Sequence, residues 1–597
     1  MSLPPLSRSQ SAAARAEARR LVILAGPGTG KTLTLTARIA FLLEAGADPG
    51  SIVALTFTQR AARELVRRLA THIGQRAIGV RAGTFHGLAL RWLREHARTA
   101  GAPPSFSLLD RRDQLELLSS LSLPCAPSTF VEITSLLTLR SHPAASVFGV
   151  HFDADAIERA LHERNVDADP AAFEPALIAY ADKKRTLAAL DFDDLLVGLH
   201  TLLTGPASEA LRSSIRHVLV DEFQDVSALE AAIAESLGRR GDLTVVGDDA
   251  QSIYGFRGAK ENALREFKDH PSTELVVLEE THRPSPEILA VAASALDLDR
   301  SVIPRKLVSL APKGPRPMLV GCDSPEQEAR FIAARSKELA RLGVPFSSQA
   351  VLYRANRQST PIELELARAQ VPFEVRGSVG FFERAHVRAA LAWLRLLCRP
   401  DDASAWRKVL AAMRGVGKQT LDEAILVATG QSLGKPRARE AVDRAFAKLS
   451  DFAELADRAG APGVLAALAE AETDESARAD LDSLAQSTPI DQPLDQLIDD
   501  LLALGADREE AARALTLSTI HQAKGLEWDA VFVAGLSDRS FPSSYSSELS
   551  EERRLFYVAL TRARRYLAIS GLRQAPSKFF LELEGRGELV DRIALAD

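Results

Sequence analysis

The start of the chain places a glycine-rich turn between an apolar run and a helical pattern. Residues 21–24 fit a buried parallel strand, residues 25–32 read AGPGTGKT, and residues 32–43 have the apolar spacing of a helix. The turn contains three glycines, Gly26, Gly28 and Gly30. Glycine lets a backbone curl so that consecutive N–H groups point into one concavity, where they bind an anion. This order of elements restricts the N-terminal region to an α/β fold around a phosphate-binding loop.

The two residues that close the turn supply the groups that a nucleotide requires. We expect the Lys31 ammonium to contact the β- and γ-phosphates and the Thr32 hydroxyl to bind Mg²⁺. The helix that follows directs its positive N-terminal end at the phosphates. The usual pattern begins with glycine at the position of Ala25, which is a small departure. The loop alone predicts a bound nucleotide and is equally compatible with a kinase, a GTPase or a motor.

A pair of acids narrows the reaction. The apolar run 217–220 leads directly into Asp221 and Glu222, which is typical of a Walker B strand. Asp221 is predicted to hold Mg²⁺, and Glu222 is predicted to act as general base on the attacking water. An acid after the metal-binding aspartate favours hydrolysis over transfer to a substrate hydroxyl. Two surface acids at a strand end are the alternative, and the phosphate loop argues against it.

The length and composition indicate several globular domains. The 597 residues correspond to about three to five domains of ordinary size. No apolar run approaches the ~18 residues that a membrane span needs, so we expect a cytoplasmic protein with no membrane partner. The three cysteines lie far apart without a CxxC pair, which supports neither a zinc site nor a disulfide framework.

The net charge of −6 does not indicate a nucleic-acid binder, but a total conceals local patches. One stretch is rich in arginine and contains Arg60, Arg63, Arg67, Arg68, Arg76, Arg81, Arg91, Arg94 and Arg98. The same stretch has two acids, Glu64 and Glu95. The arginines are suited to neutralising phosphates, although a solvated helix face accounts for the same pattern.

Strand-like and helical patterns alternate in long blocks. Apolar runs typical of strands lie at residues 21–24, 52–57, 218–220, 243–246, 275–278, 350–353, 515–520, 530–534 and 567–570. Residues 88–189 and 377–513 instead have mostly helical patterns. The simplest organisation is two α/β units, each interrupted by a helical insertion.

With the loop and the acids in place, the chain resembles a superfamily 1 helicase of the UvrD/PcrA/Rep type. The resemblance extends from Leu6 to about Phe580, and the family's motifs occur in the expected order. They lie at residues 6–10, 25–32, 56–62, 83–86, 221–225, 246–259, 278–285, 519–527 and 557–564. This implies two RecA-like P-loop motor domains, each with a mostly helical inserted subdomain.

The resemblance implies roles for residues around the nucleotide. Gln10 reads the adenine edge, and Glu527 contacts the ribose. Gln251 couples the γ-phosphate to the DNA track. Arg283 and Arg562 are arginine fingers, expected on the second motor domain, that stabilise the charge of the transition state.

The resemblance also implies contacts with single-stranded DNA, at Phe57, Thr84, His86, Tyr254, Phe256 and Arg257. Aromatic rings between the motor domains stack on bases of any identity. In isolation, Phe57, Tyr254 and Phe256 fit a protein core better than a DNA site, and their positions in the motifs reverse that preference. His86 is balanced between a contact on the DNA side and an ordinary interior histidine.

The domains that the resemblance implies are 1–87 with 190–280 (motor domain 1A), 88–189 (insertion 1B), 281–376 with 513–597 (motor domain 2A) and 377–512 (a shortened insertion 2B). The implied activity is that of an ATP-dependent, Mg²⁺-dependent DNA helicase that moves 3′ to 5′ on single-stranded DNA and 3′-tailed duplex. DNA repair or replication restart is the implied setting.

Several positions depart from the family pattern. Leu33 and His282 replace the arginine and tyrosine that usually enclose the adenine, so we expect looser adenine binding or broader nucleotide use. Phe256 replaces a tryptophan and offers less stacking area. Because the second insertion is shortened, a translocase that displaces proteins with little unwinding is the alternative function. A non-catalytic subunit is a third hypothesis, and the complete set of lysine, acids and arginines argues against it.

Overall fold

The computed structural model of the protein describes residues 4–140, 148, 152–205, 208–376, 384–413, 416, 418–432, 435–488, 493, 494, 497, 498, 513–544 and 548–595. The chain forms two compact units. Unit 1 comprises Met1–Leu289, Leu296–Pro312 and Ser550–Tyr557. Unit 2 comprises Ala290–Ala295, Lys313–Leu549 and Val558–Asp597.

Unit 1 is built on parallel strands. Its strands are β1 Arg20–Ala25, β2 Ile52–Thr56, β3 Arg81–Thr84, β4 Ser107–Leu108, β5 Ala189–Leu190, β6 His217–Val220, β7 Asp242–Gly247, β8 Thr273–Leu278, β9 Glu280–Thr281 and β10 Val308–Ser309. Six of them form a parallel sheet in the order β3-β2-β6-β7-β1-β8. The remaining four form two short pairs, β4 with β5 and β9 with β10.

Helices cover both faces of the unit 1 sheet. They are α1 Arg8–Arg15, α2 Lys31–Glu44, α3 Gln59–His72, α4 Phe85–His96, α5 Arg111–Leu118, α6 Pro127–Arg140, α7 Ala154–Glu163, α8 Phe173–Thr186, α9 Phe192–Thr204, α10 Ser208–Ser213, α11 Ala228–Gly238 and α12 Ala263–Asp269. Strand β2 shows why both faces need cover. Val53 and Leu55 lie in one apolar core, and Ile52 and Ala54 lie in the other. Alternate residues of a strand point to opposite faces, so a strand buried on both sides is apolar throughout.

The helices α5 to α8 have an apolar core of their own, which includes Phe130, Phe173 and Tyr180. Phe130 and Phe173 stack with their ring centres 5.4 Å apart. The helical pattern predicted for residues 88–189 is therefore observed in the described part of that stretch.

Unit 2 has a second parallel sheet. Its strands are β11 Met318–Cys322, β12 Gln349–Tyr353, β13 Phe373–Val375, β14 Leu515–Thr519, β15 Trp528–Val533, β16 Ala563–Leu572 and β17 Asp591–Ala594. Their order is β13-β14-β12-β15-β16-β11-β17, and every neighbouring pair is parallel.

The later helices are α13 Pro286–Leu296, α14 Pro325–Arg341, α15 Ser359–Arg368, α16 Ala385–Cys398, α17 Ala403–Ala412, α18 Lys418–Ala428, α19 Pro436–Glu470, α20 Glu475–Ser487, α21 Leu549–Leu560 and α22 Lys578–Glu584. Helices α16 to α20 share an apolar core that includes Trp393, Trp406 and Leu484. Helix α19 is kinked at Gly460, where φ is 64°. None of the described helices is a candidate for spanning a membrane.

The unit 1 sheet gathers the predicted motifs at one edge. In a parallel sheet all strands end on the same side, and ligands bind beyond those ends. The glycine-rich turn follows β1, Phe57 follows β2, Asp221 follows β6, and Asp248 follows β7. Topology therefore brings together segments that lie up to about 220 residues apart in the chain.

Candidate nucleotide and DNA sites

The glycine-rich turn connects the buried strand β1 to helix α2. Gly28 has φ of 73° and Gly30 has φ of 82°, a region that residues with a Cβ rarely adopt. The Thr29 hydroxyl donates to Gly26 O at 2.9 Å and holds the curl of the turn. Gly30 directly precedes α2, and Lys31 and Thr32 form its first turn. The turn therefore has the conformation of an anion cradle at a helix N-terminus.

The segment from Thr281 to Arg283 packs against this turn. The Thr281 hydroxyl donates to Pro27 O at 2.6 Å, and His282 N donates to Gly28 O at 3.2 Å. A Cβ placed on Gly28 would lie 2.4 Å from Arg283 Cβ, which is too close for any side chain. We expected Arg283 on the second motor domain, but these contacts belong to unit 1. The backbone and Cβ of Arg283 therefore lie beside the phosphate loop.

Gln10 connects the N-terminal helix to the turn. Its side-chain oxygen accepts from Ser7 N at 2.9 Å and completes a capping box at the start of α1. Its amide nitrogen donates to Thr29 O at 2.9 Å. A Cβ on Gly30 would lie 2.5 Å from that nitrogen. The predicted adenine-reading residue is thus held directly against the phosphate loop.

Lys31 and the acids at the end of β6 lie together. Lys31 Nζ lies 3.4 Å from Glu222 Oε2, and Asp221 Oδ1 accepts from Glu222 N at 3.0 Å. Burial, followed by the charge of Glu222, raises the pKa of Asp221 to about 7, and Lys31 opposes this shift. A nearby cation stabilises the charged form of a buried carboxylate such as Asp221. Thr32 and Asp221 offer the oxygen ligands that Mg²⁺ prefers, so these residues fit a Mg²⁺ site.

Glu222 has an unusual backbone and a defined partner. Its φ of 53° lies in the left-handed region, which costs a residue with a side chain about 1 kcal/mol or more. Gln224 Nε2 donates to Glu222 Oε2 at 2.6 Å, and Gln224 Oε1 accepts from Asp248 N at 3.0 Å. Asp248 Oδ2 in turn accepts from Gln251 Nε2 at 2.5 Å. A continuous hydrogen-bonded chain therefore runs from the predicted general base to Gln251.

Sequence reasoning missed three members of this network. Gln224 and Asp248 lie inside motifs, but neither received a role. Arg305 lies outside every motif and forms buried ion pairs with Asp248 and Asp249. Buried carboxylates require such a partner, so two adjacent acids after a buried strand were a signal that a distant cation was needed. The sequence contained no indication of which arginine this would be.

Two residues of α21 also contact the segment after β7. Glu551 Oε1 accepts from Gly255 N at 3.1 Å, and Arg554 Nε donates to Ser252 O at 2.9 Å. Arg554 is buried and also donates to Ser301 Oγ at 2.9 Å. All of these residues belong to unit 1. The loop that carries Tyr254 and Phe256 is thus held by residues about 300 positions later in the chain.

The predicted DNA-stacking residues form an aromatic cluster in unit 1. The Phe57 and Tyr254 rings stack with centres 5.6 Å apart and an angle of 16° between their planes. Phe256 lies 6.2 Å from Tyr254 and is 43% exposed. The Arg257 guanidinium lies 5.3 Å from the Tyr254 ring centre and 5.5 Å from that of Phe256. Flat rings beside a guanidinium suit bases and phosphates together.

A cavity of about 380 Å³ opens beside this cluster. Phe57, His86, Tyr254 and Arg257 line it together with Phe192, which the sequence analysis did not identify. The His86 ring meets Phe192 edge-on at 5.8 Å, and burial lowers the pKa of His86 to about 4. The histidine is therefore neutral at neutral pH and presents a flat uncharged ring.

Thr84 does not line that cavity. Its hydroxyl caps α4 by accepting from Gly87 N at 3.1 Å, and it lies 3.2 Å from Gln59 Nε2. It instead lines a neighbouring cavity of about 270 Å³ between α3 and α4. The residues predicted to bind DNA therefore fall into two adjacent groups rather than one.

Two predicted nucleotide contacts belong to unit 2. Arg562 is 1% exposed, and its guanidinium donates to Val558 O at 3.0 Å and Leu526 O at 3.2 Å. Glu527 forms an ion pair with Arg564. Arg562 lies two residues after the end of α21, and Leu526 lies two residues before β15. Hydrogen bonds to main-chain oxygens therefore fix the position of this arginine within unit 2.

Family models match nearly the whole chain. The UvrD/REP helicase N-terminal domain matches residues 6–272, and the UvrD-like helicase C-terminal domain matches residues 276–434 and 469–574. The second match is interrupted at residues 435–468, which lie in α19 and the segment before it. These matches and the two parallel sheets confirm the predicted α/β fold class.

Several curated proteins are similar over most of their length. DNA helicase II of Escherichia coli (strain K12) is 33% identical over 95% of this chain and 84% of its own. ATP-dependent DNA helicase UvrD1 of Mycobacterium tuberculosis (strain ATCC 25618 / H37Rv) is 32% identical over 95% and 82%. ATP-dependent DNA helicase UvrD2 of Mycobacterium bovis is 33% identical over 92% and 76%. The resemblance predicted from the motifs is confirmed, and the chain belongs to the UvrD-like helicase family.

Proposed function

We propose that this protein is an ATP-dependent DNA helicase that moves 3′ to 5′ on single-stranded DNA and unwinds duplex. The hydrogen-bonded chain from Lys31 to Gln251 carries this proposal, because it joins the nucleotide loop to the segment that bears Tyr254. The similarity to DNA helicase II and to ATP-dependent DNA helicase UvrD1 supports it.

In this function the turn binds ATP phosphates. The backbone N–H groups around Gly26, Gly28 and Gly30 and the Lys31 ammonium hold the phosphates, while Thr32 and Asp221 hold Mg²⁺. When bound, Mg²⁺ neutralises phosphate charge and orients the phosphate oxygens. Glu222 accepts a proton from the attacking water. The 3.4 Å separation of Lys31 Nζ and Glu222 Oε2 supports this assignment, since base and phosphate-binding lysine then meet at one point.

Three further groups act on the γ-phosphate. Arg283 and Arg562 stabilise the negative charge that builds on the γ-phosphate oxygens. Gln251 couples the γ-phosphate to the DNA-contacting segment. The packing of residues 281–283 on the turn supports the role of Arg283. Gln10 reads the adenine edge, which its hydrogen bond to Thr29 O supports, and Glu527 contacts the ribose.

Single-stranded DNA is the proposed track. Phe57, Tyr254 and Phe256 stack on bases, at about 1–3 kcal/mol for each base, and the stacking requires no particular base identity. Thr84, His86 and Arg257 contact the same strand. The parallel stacking of Phe57 and Tyr254 beside a cavity of about 380 Å³ supports this role, because it leaves flat apolar surface beside open space.

The domain division is also a proposal. We assign residues 1–87 and 190–280 to motor domain 1A, 88–189 to insertion 1B, 281–376 and 513–597 to motor domain 2A, and 377–512 to insertion 2B. The separate apolar cores of helices α5–α8 and α16–α20 support the two insertions. Unit 1 extends to Leu289, so the compact unit and the proposed motor domain 1A differ by the nine residues after residue 280.

ATPase measurements on the wild type and a Lys31→Ala variant test the central claim. We expect hydrolysis that single-stranded DNA stimulates and that Lys31→Ala abolishes, with a loss of roughly 100-fold or more. Lys313→Ala, at an exposed position, is the control. If Lys31→Ala keeps its DNA-stimulated hydrolysis, the assignment of the loop is incorrect. The same assay with RNA defines the class of nucleic acid.

The direction of movement along DNA is tested with duplex substrates that carry a single-stranded tail. We propose action on 3′-tailed duplex, in DNA repair or replication restart. Strand displacement from a 3′-tailed duplex should exceed that from a 5′-tailed duplex, and equal or reversed rates would contradict the polarity.

A single-strand translocase with weak unwinding is the second candidate. The interruption of the family match at residues 435–468 favours it, because this segment lies in the second insertion. Removal of streptavidin from a biotinylated strand, measured beside strand displacement, separates the two functions. Fast removal with slow displacement supports the translocase, and comparable rates support the helicase.

A further inference from the structure

The arginine-rich stretch identified in the sequence surrounds the open edge of the unit 1 sheet. Strand β3 is the terminal strand of that sheet and pairs on one side with β2. Helices α3 and α4 precede and follow it in the chain, and both contact it. Arg81 begins β3, the exposed Arg63 lies on α3, and the exposed Arg91 lies on α4. We call the surface formed by Arg63, Arg81 and Arg91 the basic edge groove.

Two adjoining cavities give this surface its depth. The first, of about 270 Å³, is lined by Thr84 and by all three arginines. The second, of about 340 Å³, shares Arg81 and Arg91 with the first and continues to His96. The groove therefore includes Thr84, a residue proposed to contact DNA, and continues to His96.

Among the described residues the arginines of the groove have no carboxylate partner, whereas two arginines nearby do. Arg63 Nε donates to Gln59 O at 3.4 Å, and the Arg81 guanidinium lies 6.0 Å from the Trp92 ring centre. Arg67 and Arg68 both pair with Glu64, at 2.8 Å and 2.7 Å. In the part of the chain that the structure describes, Arg63, Arg81 and Arg91 form no ion pair with a carboxylate. Glu95 is the one acid among the described residues that line the two cavities.

Protection of the sheet edge is the simpler explanation for Arg81. Charged residues on an edge strand prevent pairing with another chain. That function requires charge on β3 alone and does not explain why Arg63 and Arg91, on separate helices, line the same cavities. Three converging cations in a concave surface match an extended polyanion better, because each can neutralise one phosphate.

We propose that the basic edge groove binds the phosphodiester backbone of the single DNA strand where it continues beyond Thr84. This inference rests on the proposed function, since it extends the same track. It adds a contact that holds the strand by its phosphates, without stacking, next to the segment that holds it by its bases.

The test compares two lengths of oligothymidylate on the full chain. A strand of about 8 nucleotides covers the aromatic cluster, and one of about 20 also reaches the groove. The variant carries Arg63→Gln, Arg81→Gln and Arg91→Gln together. Arg67→Gln, which removes an exposed arginine already paired with Glu64, is the matched control. Affinity is measured between about 50 mM and about 200 mM salt, together with ATPase activity at saturating DNA.

The wild type and Arg67→Gln should bind the long strand more tightly than the short one. Loss of three phosphate contacts should reduce the salt slope for the long strand by about 2, which is about a 20-fold difference across that salt range. The triple variant should bind the short strand normally and keep its maximal ATPase rate. Should it misfold, Arg91→Gln alone, at an exposed position, should lower the slope by about 0.7.

The failures are distinguishable. If neither strand stimulates wild-type ATPase, the proposed function fails. If DNA stimulates the wild type but length gives no advantage, or the triple variant keeps the wild-type slope, the basic edge groove is not a DNA contact and the inference is overturned.

Discussion

The Gln224 side chain joins Glu222 and Asp248, donating to Glu222 Oε2 at 2.6 Å and accepting from Asp248 N at 3.0 Å. One amide therefore connects the proposed general base to the segment that leads to Gln251. Glu222 accepts hydrogen bonds from Lys31 and Gln224, so its carboxylate is held in position before water arrives.

Replacement Gln224→Leu should lower the maximal DNA-stimulated ATPase rate about 10- to 100-fold, because the base loses an orienting donor. The KM for ATP should stay within about threefold, since the phosphate-binding groups are untouched. Steady-state ATPase kinetics with and without single-stranded DNA measure both quantities. Gln349→Leu removes another buried glutamine, in unit 2, whose side chain donates to Val344 O at 2.8 Å and Ser336 O at 3.1 Å. An equal loss in that control would indicate a general folding defect.

Gly28→Ala should abolish ATP binding. The added methyl would strain a residue with φ of 73° and would lie 2.4 Å from Arg283 Cβ. Gly46→Ala is the matched control, because its φ is 94° but no described atom lies within 4 Å of the Cβ position. Both variants should lose about 1–2 kcal/mol of unfolding free energy from the backbone. Titration with a fluorescent ATP analogue should detect binding in the control alone, and binding by Gly28→Ala would contradict the proposed cradle.

A double variant with Leu33→Arg and His282→Tyr should bind ATP more tightly and select ATP over GTP more strongly than the wild type. The two changes restore a cation and an aromatic ring where the family usually has them, and each such contact is worth about 0.5–1 kcal/mol when exposed. The KM for ATP should therefore fall about 2- to 5-fold per change, while the KM for GTP changes less. Parallel ATPase and GTPase titrations provide the comparison. Strong ATP selectivity in the wild type would refute the expected effect of Leu33 and His282.

The stability of unit 1 should depend on His86 in mildly acidic solution. Burial lowers the pKa of His86 from 6.5 to about 4, so the unfolded chain takes up the proton first as pH falls. The contribution of neutral His86 is complete above pH 6.5 and is lost progressively towards pH 4. His86→Gln should therefore flatten the pH dependence of urea unfolding in this window. His96→Gln, at an exposed position, is the control for loss of a histidine from unit 1. Identical pH profiles for wild type and His86→Gln would exclude the burial effect.

The sequence predicted many of the apolar strands, but it missed β11, which is apolar and mostly buried, and the strands that carry no apolar run. Buried runs such as residues 21–24 and 350–353 correspond to β1 and β12, because a strand covered on both faces must be apolar. Strand β3, with the sequence RAGT, lies at a sheet edge and carries no apolar run. Only its pairing with β2 identifies it, and pairing is not a local property.

The residues of the candidate site likewise divide into those with a local sequence signal and those without one. Lys31, Asp221 and Glu222 were identifiable because local spacing fixes their chemistry. Arg305 was not, since its contact with Asp248 joins positions more than fifty residues apart and no local pattern marks it. Phe192 was also missed as a cavity residue, because an aromatic side chain at the start of a helix resembles any core residue until the cavity is seen.

The discontinuity of unit 1 affects how the protein is made. Its last piece, Ser550–Tyr557, supplies Glu551 and Arg554, which hold the loop bearing Tyr254. Roughly 240 residues separate that piece from Pro312, and at about 5–20 residues per second their synthesis takes on the order of 10–50 s. During that interval the nascent chain contains its phosphate loop but lacks Glu551 and Arg554, which hold the loop that bears Tyr254. The loop that bears Tyr254, which we propose to contact DNA, is therefore completed late in synthesis, although it is encoded in the first half of the chain.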